Sequence, residues 1–267
     1  MTTATYMKRL FLFILLLISA QTLKASFLKN ISGMYLQWGY NREMYSNSTL
    51  HFKNGNNYDF KLHQAKAKDK PDFGAILKDP LQISIPQYSY RIGFYLNPNK
   101  TRAIEFNFDH TKYVVEDYQQ VRISGQLHGR TIDSMMTLDP MFLHFEHTDG
   151  ANFLHVNYVS QWTLLNTTKK KRPILTALAK GGAGMVIPRT DVTFEGKELN
   201  NKFHIAGYVL SAEGAIRIYP LKNLFVEAAL KGGFAHYLNA LTIDGGIARH
   251  HFFYGEALVL LGYDISF

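Results

Sequence analysis

Strict alternation of apolar and other residues at the carboxy-terminal end of this 267-residue chain constrains its fold more than any other feature. On one face of the segment 254–267 the side chains are apolar, namely Ala257, Val259, Leu261, Tyr263, Ile265 and Phe267. The other face is mixed and carries Glu256, Leu258, Leu260, Gly262, Asp264 and Ser266. A period of two residues is typical of a β-strand, because successive side chains point to opposite faces of a sheet. The segment therefore predicts a strand with one continuous apolar face.

Seven more segments alternate in the same way, within residues 34–40, 88–96, 104–108, 154–162, 175–187, 208–218 and 224–230. Some of the connections between them are short and contain turn-forming residues, such as Pro98 and Pro220. The pattern predicts an all-β fold with eight antiparallel strands. Gln120–Leu127 and Met141–His147 give two weaker strand signals, so ten strands are the alternative.

The last strand resembles the assembly signal of bacterial outer-membrane β-barrels, in which the chain ends on an aromatic residue. Phe267 carries this resemblance, together with Ile265 and Tyr263. The chain also has 16 Tyr and 19 Phe, and such barrels have girdles of aromatic residues at both membrane interfaces. The resemblance implies an antiparallel transmembrane β-barrel in the outer membrane. It also implies that the barrel-assembly machinery and periplasmic chaperones are partners in folding.

The amino-terminal end has the pattern of a secretory signal peptide over residues 1–25. Lys8 and Arg9 precede an apolar run from Leu10 to Ile18. A helix over this run reaches about 14 Å at ~1.5 Å per residue, which is too short for a ~30 Å hydrocarbon core. Cleavage is expected after Ala20 or Ala25, and the barrel is expected within residues 26–267. The chain has no cysteine, and a barrel whose strands all pair needs no disulfide.

Connection lengths predict the orientation, because outer-membrane barrels have short periplasmic turns and longer exterior loops. The short connections 97–101, 165–172 and 220–223 are expected in the periplasm. The long connections 46–86, 188–203 and 238–249 are expected outside the cell. Residues 115–151 are expected to extend above the membrane, on the same side as the long loops.

Eight charged residues are expected to point into the barrel, four basic and four acidic: Arg91, Lys180, Arg217 and Lys231 against Glu105, Glu213, Glu227 and Glu256. An eight-stranded barrel has an interior just wide enough for side chains to fill. Buried charges are costly unless they pair, so we expect a plug of ion pairs. A narrow route for ions or protons is the alternative. Neighbouring glycines, among them Gly93 and Gly233, are expected to make room for the long Arg and Lys side chains.

The formal charge of +8 is compatible with contact to anionic lipid and lipopolysaccharide at the cell exterior. Nucleic acid is not an expected partner, because the chain carries an export signal. The sequence gives no indication of a cofactor or of a metal site, and it leaves the oligomeric state open.

Two groups of residues near the predicted exterior rim could carry chemistry. His110 follows Asp109, and His147 lies beside Glu146 and close to Asp149. A histidine next to a carboxylate is the minimum requirement for a general base or a metal site. On this basis Asp109, His110, Glu146, His147 and Asp149 are the candidate catalytic residues, although the sequence favours a solvated loop position for His147.

The segment His147-Thr148-Asp149-Gly150 resembles the His-x-Ser-Asn segment of lipid A deacylases and outer-membrane phospholipases. That resemblance implies a lipid-modifying hydrolase with its site at the exterior rim. The segment lacks the serine nucleophile, and Thr148 would point to the opposite side of the strand from His147. The sequence therefore favours a non-enzymatic barrel with a plugged interior and with exterior loops that bind envelope lipid or another ligand.

Overall fold

The computed structural model describes residues 31–55, 57–70, 87–169 and 172–267. The predicted signal peptide lies outside the described residues, as does most of the second half of the predicted 46–86 loop. No helix in the described ranges has the length and apolar character needed to cross a membrane.

The described part of the chain is built almost entirely of β-strands. In chain order they are β1 (Gly33–Tyr45), β2 (Ser48–Asn54), β3 (Tyr58–Ala65), β4 (Ala67–Lys68), β5 (Tyr88–Tyr95), β6 (Arg102–Asp109), β7 (Tyr113–Val115), β8 (Gln120–Leu127), β9 (Arg130–Thr137), β10 (Leu143–His147), β11 (Ala151–Asn166), β12 (Pro173–Pro188), β13 (Asp191–Phe194), β14 (Lys197–Asn200), β15 (Gly207–Ile218), β16 (Leu224–Leu241) and β17 (Ile247–Ser266). A short 3-10 turn, Ile243–Gly245, connects β16 to β17.

Eight strands pair side by side in the order β1-β5-β6-β11-β12-β15-β16-β17, and β1 also pairs with β17. We call these the principal strands. Every pairing is antiparallel, with Gly33 opposite Ser266 and also opposite Tyr95. Each segment predicted from alternation overlaps one principal strand. The prediction of an all-β antiparallel fold is therefore confirmed.

The two weaker strand signals belong to strands that lie outside this set. Gln120–Leu127 forms β8, which pairs with β3 and β9. The second signal forms β10, which begins at Leu143 instead of Met141 and pairs with β7 and β13. Neither strand pairs with a principal strand.

The connections that follow β5, β11 and β15 are short, and all lie at the end of the principal strands that holds Gly33 and Ser266. The remaining strands lie at the opposite end. There β2 pairs with β17 at Ile247–Arg249 and extends the sheet through β3, β8 and β9, while β4, β7, β10, β13 and β14 form a second sheet. We call these nine strands the cap.

The buried side chains form three successive layers. Near the short turns, an apolar and aromatic layer contains Tyr35, Tyr95, Phe225 and Leu260. Charged residues occupy the middle of the principal strands. Towards the cap lies a larger aromatic core, which includes Phe52, Phe60, Tyr113, Phe145, Tyr237 and Phe252.

Glycines opposite aromatic residues allow this packing. A Cβ atom on Gly93 would lie 2.0 Å from the Tyr35 ring, and one on Gly233 would lie 2.4 Å from the Tyr254 ring. Each glycine lies directly opposite its aromatic partner in the register. The expectation that these glycines make room for Arg and Lys is therefore wrong, because tyrosine rings occupy the space. An aromatic ring over a cross-strand glycine is a known stabilising device in β-sheets.

The exposed face of the principal strands is apolar. On β17 it carries Phe253, Gly255, Ala257, Val259, Leu261 and Tyr263 in succession. Other principal strands add Val226, Leu230, Ile216 and Trp162, which are 40%, 72%, 42% and 54% exposed. These strands are thus polar on much of their buried face and apolar outside, the reverse of a soluble β-protein.

Candidate functional site

Cross-strand register builds the charged middle layer from the sequence. Lys180 on β12 lies opposite Glu213 on β15, which lies opposite Lys231 on β16, which in turn lies opposite Glu256 on β17. Directly opposite residues share a face, so the row alternates in sign across four neighbouring strands. A second cross-strand pair, Arg217 with Glu227, lies closer to the short turns.

All eight predicted interior charges are buried, and all take part in ion pairs. Arg91 holds Glu213 with two parallel contacts, Nη1–Oε1 at 2.7 Å and Nη2–Oε2 at 2.9 Å. The Lys180 Nζ atom lies 3.0 Å from Glu105 Oε2 and 2.7 Å from Glu227 Oε1. These contacts satisfy charges that have no access to water, as buried ions require.

The outer members of the network are held in the same way. Arg217 Nη2 lies 2.7 Å from Glu227 Oε2, and the guanidinium lies 3.9 Å from the centre of the Phe225 ring. Lys231 Nζ lies 2.8 Å from Glu256 Oε2 and also contacts Asp109. The Tyr35 hydroxyl donates to Glu105 Oε2 at 2.7 Å. Together these residues form a continuous network, which we call the interior network.

The expected balance of four acids against four bases is wrong, because three more carboxyl groups are buried on the same face. These are Glu43, Asp109 and Asp264. Asp264 accepts hydrogen bonds from the hydroxyls of Tyr95 and Tyr219, at 2.7 and 3.2 Å. Glu43 lies opposite Glu256 in the register and accepts a hydrogen bond from the amide of Gln87. Neutral donors thus compensate for part of the acidic excess.

Asp109 and His110 do not form the predicted pair. Asp109 is buried in the interior network, where Ser89 Oγ donates to it at 2.6 Å. His110 contacts Asn152 Oδ1 through Nδ1 at 2.8 Å and stacks on Tyr88, with ring centres 4.7 Å apart. The two side chains are separated because adjacent residues of an extended segment point to opposite sides.

Glu146, His147 and Asp149 are likewise separated. His147 is fully buried against the ring of Tyr237, at 4.9 Å and with nearly parallel planes, so its predicted solvated loop position is wrong. Burial lowers the pKa of His147 to about 3. Asp149 instead faces Arg189, with 3.3 Å between Oδ2 and Nη1. The period of two within β10 again explains why Glu146 and His147 point apart.

A histidine–carboxylate cluster does exist, but it is built on His144. His144 Nδ1 lies 2.8 Å from Asp117 Oδ1, and its Nε2 lies 3.3 Å from Glu146 Oε2. The hydrogen bond to Glu146 outweighs burial and, together with Asp117, raises the pKa of His144 to about 9. Burial opposes ionisation of Glu146, yet hydrogen bonds from His144 and Thr148 bring its pKa down to about 2.

The signal for this cluster was present in the sequence. His144 and Glu146 are two residues apart within a predicted strand, and therefore share a face. Asp117 could not be assigned to it, because the contact depends on how the loop before β8 returns to β10. The cluster holds a protonated histidine between two carboxylates, an arrangement suited to a structural ion pair and not to a general base at neutral pH.

One further histidine contact has a geometry relevant to catalysis. His63 Nε2 lies 2.7 Å from Ser124 Oγ, on the partly exposed face of β3 and β8 in the cap. A nucleophile with a base at this distance normally also needs a third group that orients the base. No hydrogen bond orients the other ring nitrogen of His63 within the described residues. No group of three or more acidic or histidine side chains in the described part of the chain is arranged to hold a metal ion.

Of the predicted assembly residues, Tyr263 and Ile265 lie on β17, and Phe267 directly follows it. Tyr263 is 50% exposed and Phe267 is 76% exposed, whereas Ile265 is half-buried. Tyr263 continues the apolar row that begins at Phe253.

Comparison with known proteins gives matches at the level of structure alone. No protein-family model matches the chain, and no curated protein matches its sequence. The outer membrane protein OprG from Pseudomonas aeruginosa matches with a TM-score of 0.39 and 12% identity, over 89% of this chain and 98% of OprG. The Escherichia coli outer membrane protease OmpT matches with a TM-score of 0.40 and 8% identity, over 87% of this chain and 96% of OmpT.

Neisserial surface protein A is a third match, with a TM-score of 0.38 and 9% identity over 86% of this chain and 96% of that protein. At such identities and TM-scores the likeness assigns no activity, and the function proposed below rests on the contacts of this chain itself.

Proposed function

We propose that this chain is a non-enzymatic integral protein of a bacterial outer membrane, folded as a closed eight-stranded barrel with a plugged interior and a structured exterior cap. The observation that carries the proposal is the inverted distribution of polarity on the principal strands. Their buried face holds the interior network, while their other face exposes a continuous apolar surface. Such a surface is stable in lipid and would be a liability in water.

The dimensions of the apolar face support a membrane location. From Phe253 to Tyr263 on β17 the exposed face is apolar over eleven residues. A transmembrane β-strand needs about 9–11 residues. Aromatic residues stand at both ends of this stretch, as in the girdles at the two membrane interfaces.

Strand pairing supports a closed barrel of eight strands. Each principal strand pairs with two others of the set, because β1 pairs with both β5 and β17. Such closure leaves no unpaired backbone edge in the hydrocarbon region, which a spanning β-structure requires. With the short turns in the periplasm, the cap lies outside the cell.

The plugged interior supports a role other than conduction. Arg91, Arg217, Glu105 and Glu227 are buried and paired with one another or with Lys180. Tyr35, Tyr95 and Phe225 fill the layer between this network and the short turns. The cap, with its own aromatic core and exposed sheet faces, is then the part of the protein available to ligands or partners.

Vesicle insertion and single-channel recording test the proposal together. The full chain, folded into phospholipid vesicles, should float with the vesicles and resist extraction by carbonate. Planar bilayers that contain it should show no steady conductance. A protein that stays in the aqueous fraction would contradict the membrane proposal, whereas stable open-channel currents would contradict the plugged interior.

A further inference from the structure

The exposed face of the sheet changes character abruptly above the apolar band. Phe234 and Phe253 lie opposite each other on β16 and β17, with ring centres 5.3 Å apart. The next outward pair towards the cap is His236 and His251, with ring centres 5.6 Å apart. Arg249 follows on the same face of β17 and is exposed. Within four residues, an aromatic row is thus replaced by groups that carry or can carry positive charge.

The same face continues into the cap through β2 and β3. Arg249 lies opposite His51, and His51 lies opposite Lys61, so the three side chains share one row across three strands. Asp59 neutralises part of this surface, since it pairs with His51 and with Lys53. Arg249 and Lys61 form no ion pair with any carboxylate of the described residues. We call the group His236, His251, Arg249, His51 and Lys61 the basic strip.

We propose that the basic strip binds the phosphate groups of lipids in the leaflet that surrounds the cap end of the barrel. The proposal rests on the membrane location proposed above. Lipid phosphates lie just beyond the hydrocarbon region, at the level where the apolar face of β16 and β17 ends. The Arg249 guanidinium and the Lys61 ammonium, on the two strands that flank β2, can together hold the oxygens of one phosphate-bearing headgroup.

The opposite end of β17 lacks this feature. Beyond Tyr263 the same face carries Ile265 and Phe267, which are apolar. Exposed cations at that end, such as Lys169 and Lys222, lie in or next to the short turns and do not continue the outward row of β17. They provide a matched control of equal charge.

The test compares two double variants of the full chain. The strip variant combines Arg249→Gln with Lys61→Gln, and the control variant combines Lys169→Gln with Lys222→Gln. Each is placed in nanodiscs of phosphatidylcholine with a minor fraction of diphosphoryl lipid A. After mild detergent extraction, mass spectrometry measures the lipid A that remains on each protein. The strip variant should retain about thirtyfold less lipid A than the unmodified protein, since the two lost cations together contribute about 2 kcal/mol to contact with anionic lipid.

Retention by the control variant should stay unchanged, and retention by the unmodified protein should fall as salt is raised. Equal retention by the strip variant and the unmodified protein would overturn the proposal, as would an equal loss in both variants. Efficient displacement of lipid A by inorganic phosphate would also overturn it, because free phosphate would then be the ligand. Flotation with vesicles is measured on the same samples, so a failure of insertion is separated from a failure of the strip.

Discussion

At the scale of single residues, Glu227 has a central position in the interior network. Its carboxylate contacts Lys180 through one oxygen and Arg217 through the other, and Arg91 lies 3.4 Å from it. All four side chains are buried, so no water can replace a lost partner. Removing one partner of a buried ion pair is far more damaging than removing an exposed pair, because an uncompensated charge stays behind.

Glu227→Gln should therefore lower the free energy of unfolding by about 3–5 kcal/mol. Asp133→Asn is the matched control, because it breaks an arginine–carboxylate pair on the surface of the cap, between Asp133 and Arg122. The control should leave stability unchanged within error. Urea unfolding of each variant in vesicles measures both changes in the free energy of unfolding. Equal stability of Glu227→Gln and the unmodified protein would show that the network is hydrated.

Two neighbouring glycines give a second contrast at this scale. A Cβ atom on Gly233 would meet the buried ring of Tyr254, whereas one on Gly232 would meet no atom within 4 Å. Gly233→Ala should cost about 1–3 kcal/mol through overpacking, and Gly232→Ala should be neutral. Unfolding in urea again provides the readout. Similar effects from the two substitutions would contradict the packing of Tyr254 over Gly233.

At the scale of elements, β10 carries two histidines with opposite electrostatic surroundings. His144 faces Asp117 and Glu146, which raise its pKa to about 9. His147 faces the aromatic core, and burial lowers its pKa to about 3. Strand alternation alone places them on opposite sides, because their positions differ by three, an odd number.

The buried His147 predicts a loss of stability in acid. In the unfolded chain its pKa is near 6.5, so between pH 6.5 and pH 3 the unfolded state binds a proton that the folded state does not. Its contribution to stability is therefore present above pH 6.5 and lost as the pH falls, by about 1.4 kcal/mol per pH unit. His144 has the opposite sign, and its contribution is lost as the pH rises from 6.5 through 9.

His147→Phe keeps a ring against Tyr237 and should remove the loss of stability in acid that His147 causes. Hydrogen exchange of the β10 amides between pH 6.5 and pH 4.5 measures this loss of stability. The control is His128→Phe, a substitution at an exposed histidine of the cap. The unmodified protein should open more readily at pH 4.5, whereas His147→Phe should change less. The same pH dependence in the unmodified protein and in His147→Phe would show that another group causes the loss of stability in acid.

The principal strands could be predicted from the sequence because alternation is a local property. The ion-pair partners of Lys180 and Arg91 could not be predicted, since these pairs depend on the register between strands that are far apart in the chain. The same limit explains why the position of Asp109 was predicted wrongly. Its position at a strand end suggested the rim, but the pairing of β6 with β11 places it beside Lys231 and His155.

The cap was harder to predict than the principal strands. The weaker signals Gln120–Leu127 and Met141–His147 indicated strands, but nothing local to them specified pairing with β3 or β7. Glu43 was missed because its segment was not extended beyond residue 40, although it lies opposite Glu256 in the register.

At the scale of the whole molecule, the proposed non-enzymatic role predicts an unchanged lipid A profile. Mass spectrometry of lipid A from cells with and without the protein should show the same acyl chains. His63→Ala and Ser124→Ala should behave like the unmodified protein, because no third group among the residues that the structure describes orients His63. Loss of an acyl chain that disappears in either variant, or in His147→Ala, would show that the protein is a lipid hydrolase.

The central claim is that the principal strands stand in lipid with their apolar face outward and the interior network inside. The chain has no cysteine, so a spin label can be placed at single positions from 257 to 263 on β17 without background. In vesicles, accessibility to oxygen dissolved in the lipid should be high at Ala257, Val259, Leu261 and Tyr263, and low at Leu258, Leu260 and Gly262. High accessibility to a water-soluble nickel chelate at the odd-numbered positions, or no alternation, would contradict the claim.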